Sequence, residues 1–324
     1  MSAYILRRLL ESIPLLLITS ALVFALLMAS PGSPLGQLER DPTITAADLA
    51  RLAEQRGLND PWIVQYGRWL LAALRGDLGT SMQTGRPVLA EILDRLPNTV
   101  MLVGVAFTIT LLIAIPTGVI CALKVNSVID YLATTLSFMG ISIPIFWLGL
   151  MLILVFYATL SNPLTGNPLF PAGGMYSTGQ EHSLLNRIWH LVLPVTMLCA
   201  TWVAWYTRFL RAAMIETLSQ DYIRTAKAKG LRPRLVIYKH ALRNAILPMI
   251  TIIALDLPMF FSGALFTETI FSWPGMGRLF YQSALRRDYP VLMAMIMLTS
   301  VLIILSNLLA DLLYALVDPR IKYV

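Results

Sequence analysis

TVMLVGVAFTITLLIAIPTGVICAL, residues 99–123, holds no charged side chain. An α-helix needs about 20 apolar residues to cross roughly 30 Å of hydrocarbon, so this run reads as a membrane span and decides the fold class. Residues 131–160 form a second uncharged run, longer still. Working outward, 9–30, 188–207, 245–271 and 291–310 complete six candidate spans, the fifth of which carries Asp256 and Glu268. The whole chain agrees: of 324 residues 57% are apolar and 13% charged, with mean hydropathy +0.69, against about 25% charged in soluble domains. The expected fold is an all-α integral membrane protein with six transmembrane helices.

Arg7-Arg8 ahead of an apolar core imitates a signal peptide. The core is longer than the usual 7 to 15 or so residues, and Ser30-Pro31-Gly32 is a poor small-x-small cleavage site. The segment is therefore expected to remain as a span. Basic flanks are retained on the cytoplasmic side. If the chain starts inside, segments 1–8, 124–130, 208–244 and 311–324 hold 14 of the 25 Lys and Arg in 66 residues. Seven of the others lie in 31–98, long enough to be translocated largely regardless of charge. Both termini are thus expected in the cytoplasm. The chain is expected to divide into a first helix (1–30), an external helical segment (31–98) and a core of five spans (99–324).

In the external segment, Thr45-Ala46-Ala47-Asp48 is a capping-box pattern opening a short helix through Leu58. A second helix is expected over 61–75, with Pro61 in its first turn; the pair reads as interfacial or lid-like. Residues 161–187, rich in Pro, Gly, Ser and Asn, read as an irregular external loop. Cys121 and Cys199 fall inside spans and imply no disulfide. Pro116 and Pro144 are expected to kink their helices.

The stretch DYIRTAKAKGLRPRLVIYKHALRN, 221–244, sets seven Lys and Arg against one Asp. Apolar positions Ile215, Leu218, Tyr222, Ile223 and Ala226 make a helical stripe ended by Gly230. Arg232-Pro233 then opens a second amphipathic helix through Leu235, Tyr238, Leu242 and Ala245. Topology alone needs fewer charges, placed near membrane ends. Spread along a helix-turn-helix, they fit a surface that docks on a partner. Tyr222 and Tyr238 could stack on bases, but a 37-residue loop (208–244) between spans offers no nucleic-acid-binding fold.

This stretch resembles the cytoplasmic "EAA" loop of ABC-importer permeases, and specifically the dipeptide/oligopeptide branch, typified by DYIRTAKAKG…HALRN…P. GDLGTS at 76–81, ETIFSWPGMGRL at 268–279, RRDYPV at 286–291 and DLLYALVDPRIKY at 311–323 support the resemblance, which spans essentially the whole chain. It implies the MetI-like permease fold, residence in a bacterial or archaeal inner membrane, and a coupling helix that seats in a cleft of an ATP-hydrolysing subunit. The residues it assigns to that coupling loop are Asp221, Tyr222, Arg224, Thr225, Ala226, Lys227, Lys229, Gly230 and Leu231. Against the general consensus, Arg224-Thr225-Ala226 replaces Glu-Ala-Ala and Leu242-Arg243 replaces Leu-Pro, as is typical of the peptide branch.

The resemblance further implies a homologous second permease, two ABC ATPase subunits that bind ATP and Mg, and an external substrate-binding protein. No G-x-x-x-x-G-K-[ST] phosphate loop occurs in this chain, so the energy source lies in a separate subunit. Dipeptides or oligopeptides are the expected cargo, and nickel complexes or glutathione the alternative within the same machinery.

Asp256, mid-span, is costly against lipid, about 2.5 to 3.5 kcal/mol for an unpaired acid. It either lines a water-filled cavity, where a peptide amino group is its natural ligand, or makes an inter-helix hydrogen bond. Pro258 and Ser262 beside it are further candidates for the path. Glu268, Phe271, Trp273 and Pro274 form either an anchored interfacial turn or an external gate. A membrane-embedded enzyme is disfavoured: His182, His190 and His240 are scattered with no H-E-x-x-H pair, and Phe260-Phe261-Ser262-Gly263 lacks the glycine of a serine-nucleophile motif. A self-sufficient channel or carrier is disfavoured by the basic docking loop. No catalytic or metal-ligating set is expected in the chain.

Overall fold

The computed structural model describes residues 2–31, 33, 35–36 and 43–317; the DPRIKY part of the terminal motif lies outside them. Among the described residues the regular structure is helical, apart from two isolated bridges, Thr80 with Pro87 and Ser161 with Pro168. Helices α1 (Ser2–Ala29), α4 (Val88–Leu123), α7 (Leu184–Leu218) and α15 (Tyr289–Val317) are each long enough to cross a bilayer. A fifth crossing, Leu247–Ile270, is assembled from α11 (Leu247–Asp256), α12 (Met259–Ser262) and α13 (Leu265–Ile270).

The uncharged run at 131–160, expected as one span kinked at Pro144, is broken there into two helices. It is a pair, α5 (Val128–Ser142) and α6 (Ile145–Ile153), the latter continued by a π-helical stretch Leu154–Thr159, bent by 97° at their junction. Proline disfavours the α region at the preceding residue, and Ile143 before Pro144 is extended at φ −75°, ψ 125°. The pair nevertheless advances along α7. Asp130 meets Arg211, Gly140 abuts Ala200, Gly149 abuts Met197, and Phe156 sits edge-on to Phe170, which contacts Trp189. Counted as one span, the bent pair brings the candidate crossings among the described residues from five to six. Pro116, by contrast, sits inside an unbroken α4.

Packing centres on α7, which lies against α4 and α5. One core cluster joins Ala114, Val119, Tyr206, Leu210 and Met214 to the loop residues Ile223, Val236 and Ala241. Another gathers Leu102, Val103, Leu198 and Trp273 toward the opposite end. Helix α1 packs on α15, with Arg8 paired to Asp311 at 3.3 Å, and on α3 (Trp62–Leu74). Many apolar side chains on α1, α5 and α6 are exposed, as expected of surfaces facing lipid.

Helix α2 (Ala46–Gln55) opens with the expected capping box at Thr45, whose hydroxyl holds the Asp48 carboxyl below the usual range, and stops at Arg56, short of Leu58. Pro61 stands just outside α3 as its N-cap.

Candidate functional site

Three places carry the candidate residues: a basic hairpin, a mid-span acid, and a turn at the opposite end of the bundle.

The hairpin begins where α7 stops at Leu218 and Gln220 turns extended, φ −70°, ψ 150°. The expected stripe from Ile215 to Ala226 is therefore split between two helices. Helix α8 (Asp221–Ala228) places Asp221 in its first turn and Lys227 in its last, both favourable to the helix dipole. Ile223 and Ala226 are buried against Met214 and Val236, so α8 is fastened by one apolar edge. Tyr222, Arg224, Thr225, Lys227 and Lys229 are exposed, and Leu231 is half-buried. Gly230 takes φ +73° with open space around it. Its glycine is required by backbone conformation alone.

Beyond the turn, Pro233 opens α9 (Pro233–Leu235), which runs into a π-helical segment Val236–Leu242 and a last turn α10 (Arg243–Ala245). The buried residues here are Val236, Ala241 and Ala245. Leu235 and Tyr238, expected inside, are exposed. The shift has a geometric cause: the wider π turn brings i and i+5 onto one face, so a stripe counted at 3.6 residues drifts off register. Asn244 donates to the Tyr222 hydroxyl at 3.2 Å and so ties the two arms. Among the described residues, Lys227, Lys229, Arg232, Arg234, Lys239 and Arg243 form no ion pair. Arg224 lies 3.6 Å from Asp221 across an exposed pair, worth about 0.5 kcal/mol or less.

Beneath the hairpin, Arg211 grips Asp130 with two hydrogen bonds of 2.6 and 2.7 Å, joining α7 to the start of α5. This pair was not among the expected sites. Arg211 was legible only as a topology charge, and the partner comes from a helix whose direction the sequence does not give.

Mid-span, Asp256 accepts a short hydrogen bond from the Tyr206 hydroxyl. Tyr206 is buried, and its ring sits edge-on to Phe107, which also contacts Trp202 and Phe260. Pro258 is buried in the turn between α11 and α12, and Ser262 closes α12. Asp256 and Pro258 are thus adjacent, next to an aromatic cluster on α4 and α7.

At the opposite end, Glu268 is fully buried. Its carboxylate accepts from the Thr99 hydroxyl at 2.8 Å, the Ala264 amide at 3.2 Å and the Arg278 amide at 3.0 Å. Thr99 in turn accepts from the Met276 amide at 2.7 Å. The Trp273 indole donates to Asn98 at 2.9 Å, and the Asn98 amide returns a bond to the Pro274 carbonyl at 2.9 Å. A side chain at Gly275 would strike Glu268 and Thr99, and one at Gly277, in the first turn of α14 (Met276–Arg286), would strike the Leu265 backbone. Phe271 and Trp273 are completely buried. These residues form a closed, hydrogen-bonded turn fixed to the top of α4.

Next to it, Ser81, Met82 and Gln83 all donate to the buried Asp288 carboxylate, so GDLGTS and RRDYPV meet in space. No group of His, Cys, Asp and Glu among the described residues could hold a metal ion.

Residues 114–323 match the family described as binding-protein-dependent transport system inner membrane component, and residues 1–103 match its N-terminal companion. The chain is 48% identical, over the full length of both, to the oligopeptide transport system permease protein AppB of Bacillus subtilis. It is 39% identical to the dipeptide transport system permease protein DppB of Alkalihalophilus pseudofirmus, again over all of both chains. With DppB of Escherichia coli the identity is 38%, over 100% of this chain and 99% of that one.

Proposed function

We infer that this chain, which belongs to the family of binding-protein-dependent transport system inner membrane components, forms half of a translocation path for dipeptides or oligopeptides. A homologous permease supplies the other half, and an external binding protein delivers the cargo. Two ATPase subunits, binding ATP and Mg, drive the cycle through the hairpin of α8 and the π segment. The amino terminus lies in the cytoplasm, as do the hairpin and the carboxyl terminus. Asp256 and Pro258, with Ser262, border the path, and the Glu268 turn with Phe271, Trp273 and Pro274 closes its outer end.

The observation that carries this reading is full-length similarity to peptide permeases at up to 48% identity. The hairpin is consistent with it. Its inner edge is apolar and fixed, and its outer face offers unpaired cations to an acidic-lined groove. A short helix held this way moves as a unit when its partner closes.

The test is reconstitution of the chain with its second permease and ATPases in proteoliposomes, supplied with the binding protein. ATP-dependent uptake of a labelled dipeptide or oligopeptide is expected, together with cross-links from cysteines at Lys227 or Lys229 to the ATPase. Uptake without ATPases, or labelling of Lys227 only from outside intact cells, would overturn it.

A further inference from the structure

Helix α3 has its polarity turned inside out for a segment outside the six crossings. On the side toward α1 it sets Tyr66 and Trp69, stacked at 6.2 Å, with Tyr66 also against Phe24 at 5.6 Å. On the side away from the protein, Ile63, Leu71 and Leu74 are 63%, 58% and 76% exposed. Spaced by eight and three residues, these three share one face, and Gly67 and Leu70 fall on the same arc. Its polar side chains, Gln65 and Arg68, are turned elsewhere and spent locally, Gln65 on the carbonyls of Leu58 and Asp60, Arg68 on Asp60. Helix α2 lacks this outward apolar face: its exposed positions include Arg51 and Glu54.

The depth of α3 follows from its contact with α1. The Tyr66 hydroxyl is 2.9 Å from that of Ser20, which is fully buried. If hydrocarbon begins at Arg8, about 20 helical residues, or roughly 30 Å, carry it to Met28. Counting from Asp311, the partner of Arg8, up α15 reaches Val291 by the same arithmetic, and Met28 indeed lines a cleft shared with Tyr289, Pro290 and Met293. Ser20 therefore sits ~12 Å inside the boundary. A tyrosine side chain is much shorter than that, so the backbone of α3 at Tyr66 lies below the boundary too.

We propose that α3 is embedded in the bilayer leaflet opposite Arg8, its Ile63–Leu71–Leu74 face in contact with lipid acyl chains. That face continues the lipid-facing surface of α1, where Ile18, Leu22 and Leu26 are exposed at the same level. The helix is a half-depth wedge beside the first span, held by the Tyr66–Ser20 bond. That the leaflet is the outer one rests on the orientation proposed above.

Nitroxide labels at Ile63, Leu71 and Leu74, one per variant, would be read by power saturation in the assembled complex in nanodiscs. Labels at Leu22 on α1 and at Leu164 in the loop provide the lipid and water references. Collision with oxygen is expected to exceed that with a water-soluble nickel chelate several-fold at all three, as at Leu22. Chelate access like that at Leu164 would overturn the proposal, and so would shielding from both reagents, which would mean a protein partner covers the face. A cysteine at Leu164 modified by an impermeant reagent only from inside would overturn the orientation instead, leaving oxygen collision at α3 to decide the embedding separately.

Discussion

The hairpin at one end of the bundle and the Glu268 turn at the other are built on opposite terms. In the turn, a buried carboxylate has three donors, and its indole and glycines are fitted to α4 with little exposed surface. In the hairpin, the apolar side chains Ile223, Val236 and Ala241 are inside and six cations point out with no ion-pair partner among the described residues. The first is complete within this chain; the second is complete only with something else. The difference teaches where substitution should damage the fold and where it should damage coupling.

The sharpest way to break that contrast is Glu268→Ala, which orphans the Thr99 hydroxyl and two amides. At about 1 to 3 kcal/mol for each unsatisfied buried donor, a loss of about 3 kcal/mol or more is expected. It would be read as a large fall in thermal stability of the purified complex, with Glu268→Gln losing clearly less. Next, Arg211→Met strands Asp130, whose side chain is 4% exposed while that of Arg211 is 28% exposed. About 3 kcal/mol is expected, the low end for breaking a buried pair, and Asp130→Leu added to it should restore part of the loss in a double-mutant cycle. Tyr206→Phe removes the donor to Asp256 and should cost about 1 to 2 kcal/mol. Smallest in stability is Lys227→Glu with Lys229→Glu, within about 0.5 kcal/mol, yet ATP-driven uptake should fall steeply. If the charge reversal unfolds the chain, or the Glu268 change spares it, the two ends are not the different constructions they look to be.

How much of this was legible from sequence depends on range. Spans are written locally in runs such as 99–123, and the capping box at Thr45 is legible because its partner is three residues away. The hairpin's turn at Gly230 was equally plain. At Pro144 the kink is legible but its 97° angle is not, because composition records that a proline interrupts a helix but not where the next segment points. The inner face of the second arm is misassigned at Tyr238, inside the π-helical stretch 236–242, because a period of 3.6 residues is applied there, and at Leu235, the residue just before it. Glu268 was visible as part of a turn, but Thr99, which holds it, stands 169 positions earlier. No local pattern announces such a partner. Asp130 and Arg211 are concealed in the same way, across 81 positions.

The bonds from Ser81 to Asp288, just ahead of α15, and from Arg8 to Asp311 near the other end of that helix tie distant segments of the chain together. Helix α1 packs on α15, far along the chain, as well as on α3. A chain lacking residues 288–317 would lose both the Arg8–Asp311 pair and the bonds that Asp288 accepts from the loop at Ser81. Both contacts close over long separations, 207 positions in the case of Ser81 and Asp288, so neither can form within a local segment alone.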